Sequence, residues 1–199
     1  MATIYASDMT IAHMVDARTP KGPMSDWDTA AWRLIDHPRE PRSGPKIANL
    51  FAVSWLDVKA HFKRHAPGQY KVQWKVNLDT SSSSAAVVGT EFRAGVVHKG
   101  DEEGRNSAVV FRPASLQEFM QHTDRPNSIP ALPKTMGQLM ALQAQPGYDQ
   151  DVQGFFTLTL PGEVHISEAD NGVVVQIQNH QDNRKTGLQI EHVQLVRVA

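Results

Sequence analysis

"QYKVQWKVNLD", residues 69–79, is the stretch that decides how this chain folds. Tyr70, Val72, Trp74, Val76 and Leu78 alternate without a break with Gln69, Lys71, Gln73, Lys75 and Asn77. A period of two over this length turns one face to a core and the other to water. That is the mark of an antiparallel sheet with one solvated side.

Upstream, "NLFAVSWLDVKAHF" (49–62) predicts a second, long strand. Leu50, Ala52, Leu56, Val58, Ala60 and Phe62 keep one face apolar apart from Ser54. The other face is apolar at Phe51, Val53 and Trp55, then polar at Asp57, Lys59 and His61, so the first half is expected to be covered on both sides. "RHAPGQ" supplies a Pro-Gly turn into residues 69–79. Downstream strands are expected at "AVVGTEFRAGVV" (86–97), "AVVF" (108–111), "FFTLTL" (155–160), "GEVHIS" (162–167), "GVVVQIQ" (172–178) and "GLQIEHVQLVRV" (187–198). Gly, Asn and Asp punctuate them. The last one changes phase, from Leu188 and Ile190 to Val193 and Leu195, which predicts a bulge near Glu191–His192.

Helix is scarce. "SLQEFMQH" (115–122) opens with Ser115 and carries Glu118 three residues on, a capping-box pattern. "TMGQLMALQAQ" (135–145) offers a second short helix. Many short strands and few helices define an all-β fold, a jelly-roll-type antiparallel β-sandwich. It is expected to form one domain over residues 1–199, with one or two short helices in an inserted helical and loop segment at about 98–150.

At 199 residues such a domain buries roughly 70% of the surface of its unfolded chain and needs no staple. There is no cysteine, which excludes disulfides and thiolate metal sites and suits a reducing compartment, the cytoplasm or nucleus. The opening residues lack a basic start and an apolar core, and no run approaches the ~20 apolar residues of a membrane helix. A formal charge of −1, with basic residues spread along the chain, argues against a nucleic-acid partner.

Catalytic signatures are missing. There is no phosphate-binding glycine loop and no Gly-x-Ser-x-Gly elbow. His61 and His65 are four apart, a ligand spacing on a helix but not on a strand running into a turn. Glu163 and His165 share a strand face, and two ligands alone do not make a metal site. Asp101, Glu102 and Glu103 form a surface charge cluster. The expectation is a protein with no catalytic residues, metal or cofactor.

Two tryptophans stand apart from the strand pattern. "SDWDTAAWRLIDHP" (25–38) places Trp27 and Trp32 in a polar segment without apolar period. Each ring is either a cap over one sheet face or a platform on which a sugar stacks its C–H face.

Four blocks of the chain resemble the phloem protein 2, or Nictaba-like, lectins. "VSWLDVKAHFKRHAPGQYKVQWKV" is similar to that family's central Trp-Leu-Glu-Ile strand, its turn and its Tyr-led strand, with Ser54 and Asp57 at positions often Cys and Glu. "RKTGLQIEHVQLVRV" matches the family ending through Lys185, Gly187, Leu188, Ile190, Glu191, Val193 and Leu195. "PALPKT" with "QGFFTLTLPGEV", and "ASDMTIAHM" with "AWRLIDHP", resemble two further segments. The resemblance implies a non-catalytic jelly-roll lectin of the cytoplasm or nucleus that binds N-acetylglucosamine oligomers or N-glycan cores, on free glycans or on glycoproteins. Homodimerisation is compatible with it. Trp32 matches the first Trp of the family's Trp-x-Trp pair, while Leu34 and His13 stand at its other aromatic positions. Trp32, Trp27, Arg33, Asp28 and His13 are therefore the candidate carbohydrate-binding residues. The competing expectation is a protein-interaction or filament-forming module that has lost sugar binding, with Met120, Met136 and Met140 as its apolar surface.

Overall fold

The alternation of residues 69–79 is realised as the longest strand among the described residues of the computed structural model. Those residues are 1–12, 32–36, 46–50, 56–63, 65–78, 87–98, 107–124, 155–181, 185 and 187–198. In chain order the elements are β1 (Ala2–Tyr5), a single 3-10 turn at Ala6–Asp8, β2 (Thr10–Ala12), β3 (Trp32–Ile35), β4 (Ile47–Leu50), β5 (Leu56–Lys63) and β6 (Gly68–Leu78). They continue with β7 (Glu91–His98), β8 (Ser107–Phe111), α1 (Leu116–Gln121), β9 (Phe156–Thr159), β10 (Val164–Ile166), β11 (Asp170–Asn179) and β12 (Leu188–Arg197).

Two antiparallel sheets pack over one core, an all-β sandwich. The first is centred on β6 and β12. On the outer edge of β6, β9 and β10 follow one another; on the outer edge of β12, β1 and β4 do the same, and β3 pairs with β4. The second sheet runs β2-β5-β11-β7-β8. The inward positions of β6 are all buried, from Trp74 and Val76 at 0% exposure to Leu78 at 6%. Trp74 is registered between Val193 of β12 and Leu158 of β9, so its indole fills the middle of the sandwich.

The register of β12 shifts between Ile190 and His192, where the phase change had pointed. This bulge lets Leu188 and Ile190 on one side of it, and Val193 and Leu195 on the other, all enter the same core. β11 carries another irregularity, between Asp170 and Gly172. Gly172 has φ +142°, and a Cβ there would lie 2.0 Å from the Phe62 carbonyl oxygen, so only glycine fits.

Two expectations need correction. The long strand over 49–62 is two strands, β4 in the first sheet and β5 in the second, because a period of two reports faces and not partners. Residues 51–55 lie outside the described residues. Met120 is not an exposed apolar surface: α1 turns Phe119 and Met120 into the core. Met136 and Met140, and with them the helix expected at 135–145, lie outside the described residues.

The capping box of α1 forms. Ser115 Oγ accepts from Glu118 N at 3.1 Å, and the Glu118 carboxylate accepts from Ala114 N at 2.7 Å. Phe111, Phe92, Phe119 and Phe156 make a relay of ring contacts at 6.3, 5.6 and 5.9 Å, joining β8, β7, α1 and β9 across the two sheets. The chain leaving α1 is thereby held against the outer edge of β9. Thr159 N donates to His122 O at 2.9 Å and Asp124 N to Thr157 O at 3.0 Å. An edge that would otherwise expose its amides is closed along this part.

Trp74 Nε1 finds no acceptor among the described residues. Trp74→Ala is expected to cost about 3–5 kcal/mol through the cavity it opens. Trp74→Phe, which removes a donor without an acceptor, is expected to cost less than half of that. Urea unfolding of the three proteins checks the order; equal losses would show that the indole N–H is bonded.

Candidate functional site: a polar sheet face and its groove

Because β6 presents its odd residues to water, the register of its neighbours decides what stands beside them. Three rows cross the first sheet. One is Thr159, Gln73, Gln194 and Thr3; the next is Thr157, Lys75, His192 and Tyr5; the third is Asn77, Gln189, Asn49 and Arg33. Amide side chains bridge within the rows. Gln194 donates to Gln73 Oε1 at 2.8 Å and Gln73 to Thr159 Oγ1 at 3.1 Å; Asn77 donates to Gln189 Oε1 at 2.9 Å and Gln189 to Asn49 Oδ1 at 3.3 Å. Such cross-strand pairs hold the sheet and also fix the direction of each amide. At the β1 end the Tyr5 ring meets His192 edge-on at 5.7 Å, and His192 Nδ1 pairs with the Glu191 carboxylate at 2.9 Å.

At the β9 end the face becomes concave. Between the pairs Gln73–Thr159 and Tyr70–Val164, only Lys71 and Val72 of β6 stand opposite Leu160, Pro161, Gly162 and Glu163. Leu160 N still bonds Val72 O at 3.0 Å; then Pro161 has no amide to offer, and Gly162 takes φ +108°. The excess chain bows outward. Opposite it stands the segment that follows α1, where Asp124 Oδ1 accepts from Thr157 N at 2.9 Å. The result is an open groove of about 590 Å³. Its floor is Lys71, Gln73, Thr157 and Thr159; its sides are residues 121–124 and 160–162. Amides and hydroxyls both donate and accept, so this lining suits a ligand rich in hydroxyl groups.

The sequence-derived candidates are only partly in view. Arg33 is exposed and belongs to the third row. The backbone of Trp32 lies on β3 opposite Leu50. Leu34, which the resemblance aligns with an aromatic position of the phloem lectins, packs partly buried against the core. Trp27, Asp28 and His13 lie outside the described residues, as do Asp101, Glu102 and Glu103. What the sequence reading missed is the groove: Gln73, Thr157 and Thr159 were legible as outward positions, but their convergence depends on pairing across the chain.

Two further titratable groups among the described residues have resolved surroundings. Asp170 Oδ2 accepts from Ser167 N at 2.6 Å and Ser167 Oγ at 2.7 Å, and Oδ1 faces His98 Nδ1 at 2.7 Å. The carboxylate stands between serine and imidazole, so the imidazole does not take the serine proton; the cluster pins the β10–β11 turn to β7. The Ser167 donors, and then His98, hold the Asp170 carboxyl below the usual carboxylate range. His65 packs edge-on to Phe62 and Tyr70 at 6.0 and 5.3 Å, and burial, with the N-terminal charge, pushes its imidazole below its ordinary value. Among the described residues no three His, Asp or Glu side chains are grouped to hold a metal ion, and no helix is long and apolar enough to cross a membrane.

No protein-family model matches the chain, and no curated protein matches it in sequence. Among solved structures it is similar to a family GH115 4-O-methyl-α-glucuronidase with specificity for decorated arabinogalactans, at 12% identity and a TM-score of 0.38. The likeness covers 93% of this chain and 20% of that one, so the chain spans about a fifth of that enzyme's length. At that score it carries no argument about ligand or activity.

The Asp170 cluster sets an acid limb to stability. Its contribution is fully present above about pH 4, the ordinary aspartate value, and is lost as pH falls through the lower folded value. Asp170→Asn is therefore expected to be less stable than the native protein at pH 7, with the gap closing as the pH falls below the ordinary aspartate value. Urea midpoints across that range measure it; a gap independent of pH would contradict the assignment.

Proposed function

We propose that this chain is a non-catalytic carbohydrate-binding domain that holds glycans on the polar face of its first sheet. The groove at the β9 end carries this reading: amide, hydroxyl, imidazole, ammonium and carboxylate groups line one open concavity, on strands whose side chains are already oriented by one another. Sugars offer a ring of hydroxyls that such a lining matches in both directions. Rigid strands lose little entropy on binding. The resemblance to the phloem lectins adds N-acetylglucosamine oligomers and N-glycan cores as ligands, and a cytoplasmic or nuclear setting. In that family pattern Trp32 is the stacking ring, with Trp27, Arg33, Asp28 and His13 around it. Arg33 links the two surfaces, since it closes the row of Asn77, Gln189 and Asn49.

A shallow open site of this kind is expected to bind with a Kd of about 0.1–1 mM, or about 4–5.5 kcal/mol, so useful avidity needs several copies. A glycan array followed by calorimetry on the native chain, Gln73→Ala with Thr159→Ala, and Trp32→Ala tests it. Loss of binding of tenfold or more in the groove variant, with native circular dichroism, supports the groove as the seat. Loss confined to Trp32→Ala moves the seat to the N-terminal segment. No glycan bound by the native chain at millimolar concentration ends the carbohydrate reading.

A further inference from the structure

We propose that the groove end of this face selects acidic saccharides, chains bearing carboxylate or sulfate groups, over neutral ones; this rests on the carbohydrate reading above. Two neighbouring lysines on one strand face set the first sheet apart. On the second sheet several charges are paired locally, although Lys63 at the end of β5 is exposed with no ion-pair partner among the described residues. Lys59 lies 3.8 Å from Asp57, Arg112 pairs with Glu91, and Gln176 and Gln178 donate to the same two carboxylates. On the first sheet Lys71 and Lys75 stand on one face of β6 with Gln73 between them. Four residues of extended chain set them about 13 Å apart. Neither has an ion-pair partner among the described residues.

The acids nearby do not answer them. Asp124 lines the groove and keeps its charge there, but among the described residues it makes no ion pair with either lysine. Glu191 is taken by His192, at the far side of β12. Glu163 is exposed at the β9–β10 corner and does not line the groove. Two ammonium groups flanking a row of hydroxyl-matching amides fit a polymer that alternates hydroxyls with anions. A lysine acts on such anions as a hydrated point charge, without the fork geometry of arginine, so the attraction is tolerant of group type and sensitive to salt. A single-stranded nucleic acid shares the charge but wants rings to stack its bases. The exposed aromatic described on this face, Tyr5, stands two strands from Lys75 in the same row with its ring edge-on to His192, and one ring serves one base only.

The test is calorimetry or fluorescence titration of the full chain at 20 and 150 mM NaCl. The probes are a uronic-acid tetrasaccharide, a sulfated tetrasaccharide, a neutral N-acetylglucosamine tetramer and an oligothymidylate. The expected result is acidic chains bound about tenfold or more tighter than the neutral tetramer at low salt, with the advantage shrinking at high salt. Lys71→Gln with Lys75→Gln collapses that ratio toward one, and the paired Lys→Arg variant restores it. Equal affinity for acidic and neutral chains overturns the inference and leaves the carbohydrate reading standing. No saccharide bound overturns both. Tighter binding of the oligothymidylate than of either acidic sugar, or a ratio unmoved by the glutamine variants, also overturns it.

Discussion

The phase of β6 is the constraint on which the rest depends. Its even residues bury Tyr70, Val72, Trp74, Val76 and Leu78, and its odd residues present Lys71, Gln73, Lys75 and Asn77 to water. A slip by one residue would exchange the two sets, setting lysines in the core and the indole in solvent. The phase is locked from both sides. Inside, Trp74 is wedged between Val193 and Leu158; outside, the amides of Gln73 and Asn77 are tied to Gln194 and Gln189. The core and the polar face are thus two consequences of one backbone register.

Irregularities in the neighbouring strands turn that register into a shaped surface. The bulge of β12 at Glu191 restores the apolar phase inside and brings His192 into line with Lys75 and Tyr5 outside. The surplus chain between β9 and β10 bows away from β6 and opens the groove. The phenylalanine relay through α1 supplies the opposite wall, so the capping box at Ser115, far from the groove in chemistry, helps determine its shape.

Local pattern was enough for much of this. Residues 69–79, the last four strands, the β12 bulge and the first helix are all written in nearest neighbours: a period of two, a phase break, a Ser-x-x-Glu box. The start of β7 was not, because Val87–Gly89 make a turn, with Thr90 N bonded to Val87 O at 3.0 Å and Gly89 at φ +74°. The change of sheet between Leu50 and Leu56 was not either, since both lie in buried patterns that look alike along the chain. The groove was least legible. Gln73 and Gln194 are 121 residues apart and Gln73 and Thr159 are 86 apart, so no local signal joins them. The sequence drew attention to tryptophan rings near the N-terminus, because a ring in a polar segment is conspicuous; amides on a strand face are not.

Taken as chemistry, the first sheet offers oriented amides and hydroxyls with two ammonium groups that have no ion-pair partner among the described residues, and the second offers mostly charges paired with their neighbours. The proposed seat of binding rests on that arrangement rather than on any single residue. Backbone amide chemical shifts of the labelled chain, followed by NMR as a uronic-acid tetrasaccharide is added, test the assignment most directly. The account predicts shifts concentrated on β6, β9 and residues 121–124, with the second sheet unmoved. Shifts centred on β5, β11 and β7, or none at millimolar saccharide, would contradict it.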